Sequence, residues 1–245
     1  TLDMGRIFWL LKFAGMCRAE HVRHAIRARA AILESAGQLF EALVGPGGLA
    51  AEYEKRGVLL VFRSAAAMQG YAAVNDLLRP HGVAAEALVG KALREVEPAL
   101  REDVYGAWYH REDSHLRPDK LLASWKQALA RSGVVIEEEC RLERFRCAVG
   151  NVEAAVTNRG ERAARDFVLA AGAWSAPVAA QLGLKLPMQP GKGYSITMDR
   201  PAVCPQIPCY FYERRVVATP WPSGYRLGGT MEFSGFDTQL SAHRI

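Results

Sequence analysis

The residues best suited to chemistry lie in the last quarter of the chain. Tyr194, Tyr210, Tyr212 and Arg226 recur there with further aromatic and cationic residues, on short apolar runs broken by Pro and Gly. Aromatic rings make flat apolar walls, and an arginine can grip a carboxylate through two parallel N–H···O bonds. The pattern reads either as the wall of a small-molecule pocket or as an aromatic-rich sheet surface. These four residues are the candidates for the wall.

A second stretch, Asp166 to Gly183, reads strand, tight glycine turn, helix. Phe167 to Ala171 is an unbroken apolar run suited to a strand buried on both faces. Gly172 breaks it, Ser175 is a good N-cap, Pro177 fits the first helical turn and Gly183 its end. Backbone N–H groups beside a residue without a side chain make a natural seat for a phosphate. An ordinary strand–turn–helix junction fits the same residues, since a single glycine lacks the specificity of a full nucleotide fingerprint. His110 and His115 flank Glu112 and Asp113. That cluster suggests a metal or a catalytic base, but a polar loop explains it more simply. No metal site is assigned and no catalytic residue is nominated. Cys204 and Cys209 lack the second pair or the nearby His that zinc needs.

The elements that must carry these residues follow from periodicity. Arg18 to Val44 reads as a long helix with Val22, Ile26, Leu33, Phe40 and Leu43 near one face, ended by Gly45-Pro46-Gly47-Gly48. Its start is basic (Arg18, His21, Arg23, His24, Arg27, Arg29), which reads as a nucleic-acid or lipid-headgroup patch or as a solvated helix face; the solvated face fits better, because no interleaved aromatics for base stacking accompany the charge. Gly57 to Phe62 is a buried-type strand, Ala65 to Leu78 a helix, Ala84 to Val89 a strand, Lys91 to Val96 a short helix, and Val104 to Tyr109 a strand. Pro118 opens a helix with Leu121, Leu122, Trp125 and Leu129 on one face. Val134-Val135-Ile136 then reads as a buried strand. Arg141 to Val149 and Val152 to Thr157 form a hairpin about Gly150-Asn151, with a second turn at Asn158-Arg159-Gly160. After Pro187 come four short strand-like runs, the mark of antiparallel sheet.

With 245 residues, half of them hydrophobic and 23% charged, the chain is globular and neither disordered nor fibrous. Its net charge of +5 is compatible with anionic partners without naming one. Five scattered cysteines suit thiols in a reducing cytoplasm. The apolar run Ile7 to Met16 is too short for a membrane span and contains Lys12.

Several segments, in this order, together resemble a known family. They are Arg56-Gly-Val-Leu-Leu-Val-Phe-Arg63, Arg94-Glu-Val-Glu-Pro-Ala-Leu100, Val168-Leu-Ala-Ala-Gly-Ala-Trp-Ser175, Leu186-Pro-Met-Gln-Pro-Gly-Lys-Gly-Tyr-Ser-Ile-Thr197 and Arg226-Leu-Gly-Gly-Thr-Met-Glu-Phe-Ser-Gly-Phe236. The set is similar to the flavin-dependent amine and D-amino-acid oxidoreductases, the bacterial D-amino-acid dehydrogenases in particular. The resemblance implies a mixed α+β and α/β fold. A discontinuous FAD-binding insert (helix, strand, β-meander, strand, helix) would occupy 113–186. A substrate domain with a mixed, largely antiparallel sheet and flanking helices would take 1–112 and 187–245.

The resemblance also implies FAD as cofactor and a small amine or D-amino acid as substrate. The product would be an imine that hydrolyses to a 2-oxo acid. It assigns Ala171, Gly172 and Trp174 to the pyrophosphate region, with Gly172 at negative φ and its missing Cβ leaving room for the cofactor. Arg141 stands where the family places a small apolar residue whose backbone meets the adenine. It leaves open a relative acting on glycine or sarcosine, and peripheral attachment to the inner face of the cell membrane. The family's opening Gly-x-Gly-x-x-Gly unit and its closing Gly-Leu-Arg-Pro segment do not occur among these residues. The chain is therefore expected to be a central portion with an incomplete FAD site, and to bind FAD weakly by itself. A non-catalytic module docking through its basic helix is the competing reading.

Overall fold

The computed structural model describes residues 4–244. In chain order its helices and strands are α1 (Met4–Met16), α2 (Ala19–Val44), β1 (Val58–Phe62), α3 (Ala65–Leu78), β2 (Glu86–Val89), α4 (Gly90–Val96), β3 (Gly106–His110), α5 (Pro118–Arg131), β4 (Leu142–Ala148), β5 (Asn151–Thr157), β6 (Gly160–Ala163), α6 (Ser175–Ala180), β7 (Lys192–Met198), β8 (Cys209–Phe211), β9 (Val216–Trp221) and β10 (Gly224–Glu232). They group into two compact units. The larger takes 15–131, 193–231 and the stretch from 240 onward; the smaller takes the chain through 14, then 132–192 and 232–239. The boundaries thus fall near 132 and 192, where the sequence suggests 113 and 186. Helix α5 goes with the larger unit because Leu121 is buried with Val44 and Ala51.

The larger unit is built on a seven-stranded sheet of order β2-β3-β1-β8-β9-β10-β7. Strands β1 and β8 run parallel, while β2–β3, β1–β3, β8–β9 and β9–β10 are antiparallel. The mixed, largely antiparallel architecture expected from the sequence is what forms. Strand period two decides the packing. Leu59 and Val61 point into a core with Ala107, Cys209, Ala218 and Tyr225, closed by Leu93 of α4 and by Leu100. Leu93 is fully buried, worth about 2 kcal/mol.

Two polar residues staple this core. Asn75 of α3 donates to the Ala85 carbonyl (3.1 Å) and accepts from the Ala85 N–H (2.6 Å), clamping the entry to β2. The wholly buried Glu97 accepts the backbone N–H groups of Gln206 (2.6 Å) and Ile207 (3.0 Å), fixing the connection into β8. Helix α3 forms over the predicted residues because Ser64 caps it, accepting from the Ala67 N–H at 3.2 Å.

The smaller unit holds the antiparallel sheet β4-β5-β6, the expected β-meander, with Ala154 fully buried beneath it. The hairpin turns one residue earlier than Gly150-Asn151. Ala148 pairs with Asn151, and Val149 (φ 48°) and Gly150 (φ 79°) form the turn.

Two expected strands do not form. Val134 to Ile136 and Phe167 to Ala171 are irregular, with Val135 83% and Val168 91% exposed. An apolar run becomes a buried strand only beside a partner that takes its backbone hydrogen bonds. Among the described residues neither run has one. Ser175 is not an N-cap but a residue inside α6, with φ −59° and ψ −35°. A 3-10 turn at Gly172–Trp174 precedes it and takes up the end of the helix, with the Trp174 N–H bonded to the Ala171 carbonyl at 3.0 Å. The apolar face of α2 is not covered within the unit either: Val22, Leu33 and Phe40 are exposed, and Val44 is the helix's one buried residue. Helix α1, unforeseen as a helix, likewise exposes Met4, Phe8 and Leu11.

Candidate functional site

One face of the large sheet packs on the core; the other carries the candidate residues. Leu60, Tyr210, Val217 and Gly228 stand side by side across β1, β8, β9 and β10. Alternation puts Thr219 and its partner Arg226 on the same face. Over this floor opens a cleft of about 670 Å³, lined by Tyr194, Ser195, Tyr210, Arg215, Val217, Thr230 and Met231, with Gly193, Gly228 and Gly229. The glycines keep it open. A Cβ at Gly228 would meet nothing nearer than the Ser195 Cβ at 4.0 Å.

Of the four predicted wall residues, Tyr194 and Tyr210 line the cleft. The Tyr194 hydroxyl accepts the Ser241 N–H at 3.1 Å, which fixes the ring. Tyr212 stands behind the wall in an aromatic cluster. Its ring lies 4.8 Å from Phe62, 5.8 Å from Tyr71 and 6.0 Å from Tyr210, so it braces Tyr210. Burial in this cluster raises the pKa of the Tyr71 hydroxyl. Arg226 does not line the cleft. Its Nε donates to Thr197 Oγ1 (2.8 Å), and its guanidinium lies 5.1 Å over the buried Trp221.

The charged residue in the cleft is instead Arg215, on the short connection from β8 to β9. Its Nη1 donates to the Tyr210 hydroxyl (3.3 Å) and its guanidinium lies 4.7 Å over the Tyr212 ring. Its backbone sits in the left-handed region at φ 57°. Two adjacent arginines in a connection between strand-like runs are the sequence signal for it, but which of them turns inward depends on that backbone angle.

The glycine turn lies in the smaller unit. Gly172 has φ 54°, against the negative value expected, so its backbone itself calls for glycine. A Cβ there would also meet nothing within 4 Å, so the space beside the turn is open. The Trp174 ring packs tilted against Phe236, with centroids 5.9 Å apart, which brings two of these motifs together. Gln181, just past α6, reaches the Glu143 carbonyl at 3.4 Å, placing the Arg141 end of the hairpin in the same unit. Arg141 offers little backbone to a ligand. Its N–H donates to the Asn158 side chain (2.7 Å), its carbonyl accepts the Asn158 N–H (3.1 Å), and its exposed guanidinium pairs with Glu143.

The histidine cluster resolves into a structural loop. His115 places Nε2 3.1 Å from the Pro220 carbonyl. A carbonyl only accepts, so Nε2 carries the proton. Burial lowers the pKa of His115, against the opposing pull of Glu54, and raises that of Asp113. Glu112 pairs with Lys55. Among the described residues no group of three His, Cys, Asp or Glu could hold a metal, and no helix is long and apolar enough to cross a membrane.

No carboxylate or imidazole lines the cleft, so what its own groups can do is bind and orient. Tyrosine rings and bare glycine backbone line it, with Arg215 as its one cation.

Residues 12–245 match the family described as FAD dependent oxidoreductase. The chain is 28% identical over 250 residues to a D-amino acid dehydrogenase of Xanthobacter autotrophicus, covering 100% of this chain and 59% of that protein. To the one from Bradyrhizobium diazoefficiens it is 30% identical over 250 residues, covering 98% and 58%. It thus spans about three-fifths of the length of the curated relatives it matches. The fold is shared with glycine oxidase from Geobacillus kaustophilus (TM-score 0.74, 22% identity, 90% of this chain and 59% of that one). It is shared too with glycine oxidase from Bacillus cereus (TM-score 0.72, 21% identity, 89% and 59%). With the match running over nearly the whole chain, this protein belongs to the FAD dependent oxidoreductase family.

Proposed function

We propose that the chain is the central part of an oxidoreductase that oxidises D-amino acids to 2-oxo acids. In this reading the smaller unit is part of the FAD-binding domain and the larger one supplies the substrate site. The observation that carries it is the glycine-floored cleft, lined by two tyrosines and one cation, in a chain whose curated relatives are named D-amino acid dehydrogenases. FAD, when bound, accepts the hydride of the substrate's α-carbon. The chain's residues do the rest. The Gly172 turn, with open space beside it, and Trp174 fit the pyrophosphate end of the cofactor. Tyr194 and Tyr210 flank the substrate, Tyr212 braces Tyr210, and the bare floor at Gly228 leaves the slot wide enough for it.

The glycine oxidase neighbours favour a second reading, an enzyme acting on glycine or sarcosine. The two separate cleanly. The protein is expressed in its full reading frame and mixed anaerobically with D-alanine, other D-amino acids, glycine and sarcosine, and the flavin absorbance is followed. Fastest bleaching by D-amino acids supports the proposal. Bleaching by glycine or sarcosine alone moves the assignment to the second reading.

A further inference from the structure

Four oxidisable rings stand in line on one face of the large sheet. Tyr210 lines the cleft. Its ring centroid lies 6.0 Å from that of Tyr212, Tyr212 lies 5.8 Å from Tyr71, and Tyr71 lies 6.4 Å from Trp108. Strand register explains the row. Trp108 of β3 pairs with Leu60 of β1, and Leu60 with Tyr210 of β8, so alternation sets Trp108, Phe62 and Tyr210 on one face. Tyr71, on α3, bridges the two ends of the row. At the far end the half-buried Trp108 donates its indole N–H to the Met68 carbonyl of α3 at 3.0 Å. Its other neighbour is the exposed Ala87 of the edge strand β2. The line thus runs from the cleft wall to one strand short of the sheet edge.

Packing alone does not ask for this choice of rings. Phe62, 4.8 Å from Tyr212 and 6.0 Å from Tyr71, fills the space beside the line without any hydroxyl. Phenylalanine in place of Tyr71 would fill its space equally and spare a hydroxyl from desolvation. What phenol and indole have and a benzyl ring lacks is the ability to give up one electron and take it back. Electron transfer weakens steeply with the width of the gap, so three short hops outrun one long jump. Arg215 keeps the first gap fixed, donating to the Tyr210 hydroxyl at 3.3 Å while its guanidinium lies 4.7 Å over the Tyr212 ring.

We infer that Tyr210, Tyr212, Tyr71 and Trp108 form a relay that carries single electrons from the cleft outward to the edge of the sheet. The oxidant it serves is an oxygen-centred radical that strikes Trp108. The radical takes one electron and one proton and leaves as the hydroxy compound, and a neutral indolyl radical remains. Trp108 recovers an electron from Tyr71 and a proton from water, and Tyr71 gives up its phenolic proton. Tyr212 and then Tyr210 repeat the exchange. The phenoxyl radical so formed on Tyr210 faces the cleft. One electron taken from the substrate there, with one proton from water, restores it. Each pass spends one electron and one proton and leaves the four side chains as they began. The inference rests on the reading of the cleft as the place where substrate is oxidised, whereas the relay itself is tested without substrate.

The test is pulse radiolysis of the protein expressed in its full reading frame. Azide radical oxidises the indoles, and the absorbances of the indolyl and phenoxyl radicals are then followed. The wild type should show an indolyl decay matched by phenoxyl growth, at a rate that does not change with protein concentration. Trp108→Phe should remove this phase. Tyr71→Phe, which deletes only a hydroxyl, should slow it by an order of magnitude or more. Tyr53→Phe, away from the line, should leave it intact. Near-ultraviolet circular dichroism checks that each variant is folded, and if Trp108→Phe is not, Tyr71→Phe decides by itself. A wild type without the phase overturns the relay, and so does a phase that folded Trp108→Phe or Tyr71→Phe leaves unchanged. No amine is turned over in the measurement, so failure of the relay and failure of the substrate assignment are read separately.

Discussion

The Lys192 Nζ lies 2.5 Å from Glu232 Oε1, joining the first residue of β7 to the last of β10. The same amine donates to the Gln239 carbonyl at 2.5 Å. Both side chains are largely out of water, 16% and 13% exposed, so the pair is not the screened surface kind. It ties the Gly-Lys-Gly-Tyr stretch to the Gly-Gly-Thr-Met-Glu stretch, far apart in sequence. Removing one partner strands a mostly buried charge. Glu232→Gln should cost about 3 kcal/mol in urea unfolding, and Lys192→Met with Glu232→Leu should recover most of it. A loss below about 0.5 kcal/mol would show the pair to be a bystander.

Gly172 gives a prediction opposite to the one its motif suggests. At φ 54°, with open space where a Cβ would go, Gly172→Ala should lose about 1 kcal/mol of stability from backbone strain alone, and Gly172→Asn less. Denaturant midpoints of the two variants measured together decide it. An Ala variant as stable as wild type would place the turn on the other side of φ.

Val149 is the converse case, a β-branched residue at φ 48° and fully exposed in the β4–β5 turn. With Gly150 it occupies a turn in which Asn-Gly is the favoured pair. Val149→Asn should therefore stabilise the protein, by about 1 kcal/mol, read as a higher calorimetric midpoint. No contact is lost, so a lower midpoint would refute the strain.

His115 makes stability depend on pH. Burial lowers its pKa in the folded chain, so on acidification the unfolded chain takes up the proton first. The contribution of the neutral imidazole is then present above about pH 6.5 and is lost as the pH falls below it. His115→Asn should flatten the stability curve between about pH 7 and 5 relative to wild type. A difference between the two that does not change over this range would show that His115 does not titrate there.

Much of this fold could be read from the chain because its signals are local. Ser64 caps α3, and Pro80 stops it, over the predicted residues. The β-rich end after Pro187 announces itself by alternation and turns. What failed was whatever depends on a neighbour. Val134 to Ile136 and Phe167 to Ala171 have strand composition but nothing beside them to pair with, and the apolar side of α2 has periodicity without a cover. The site divided along the same line. Tyr194 and Tyr210 stood out by type, and register put them at one cleft. Arg226 and Arg215 look alike in sequence. Thr197 and Trp221 occupy the one, and a left-handed backbone with two tyrosines aims the other.

The bare floor of the cleft has an evolutionary consequence. Gly228 is not in the left-handed region, and a methyl group there would touch only Ser195 at ordinary distance. The fold does not need glycine at that place, whereas at Gly229 a Cβ would press on the Arg215 carbonyl at 3.2 Å. Position 228 is thus a dial that mutation can turn without disturbing the sheet. Alanine, serine or valine would fill the floor of the slot step by step, letting descendants of one scaffold sort ligands by size.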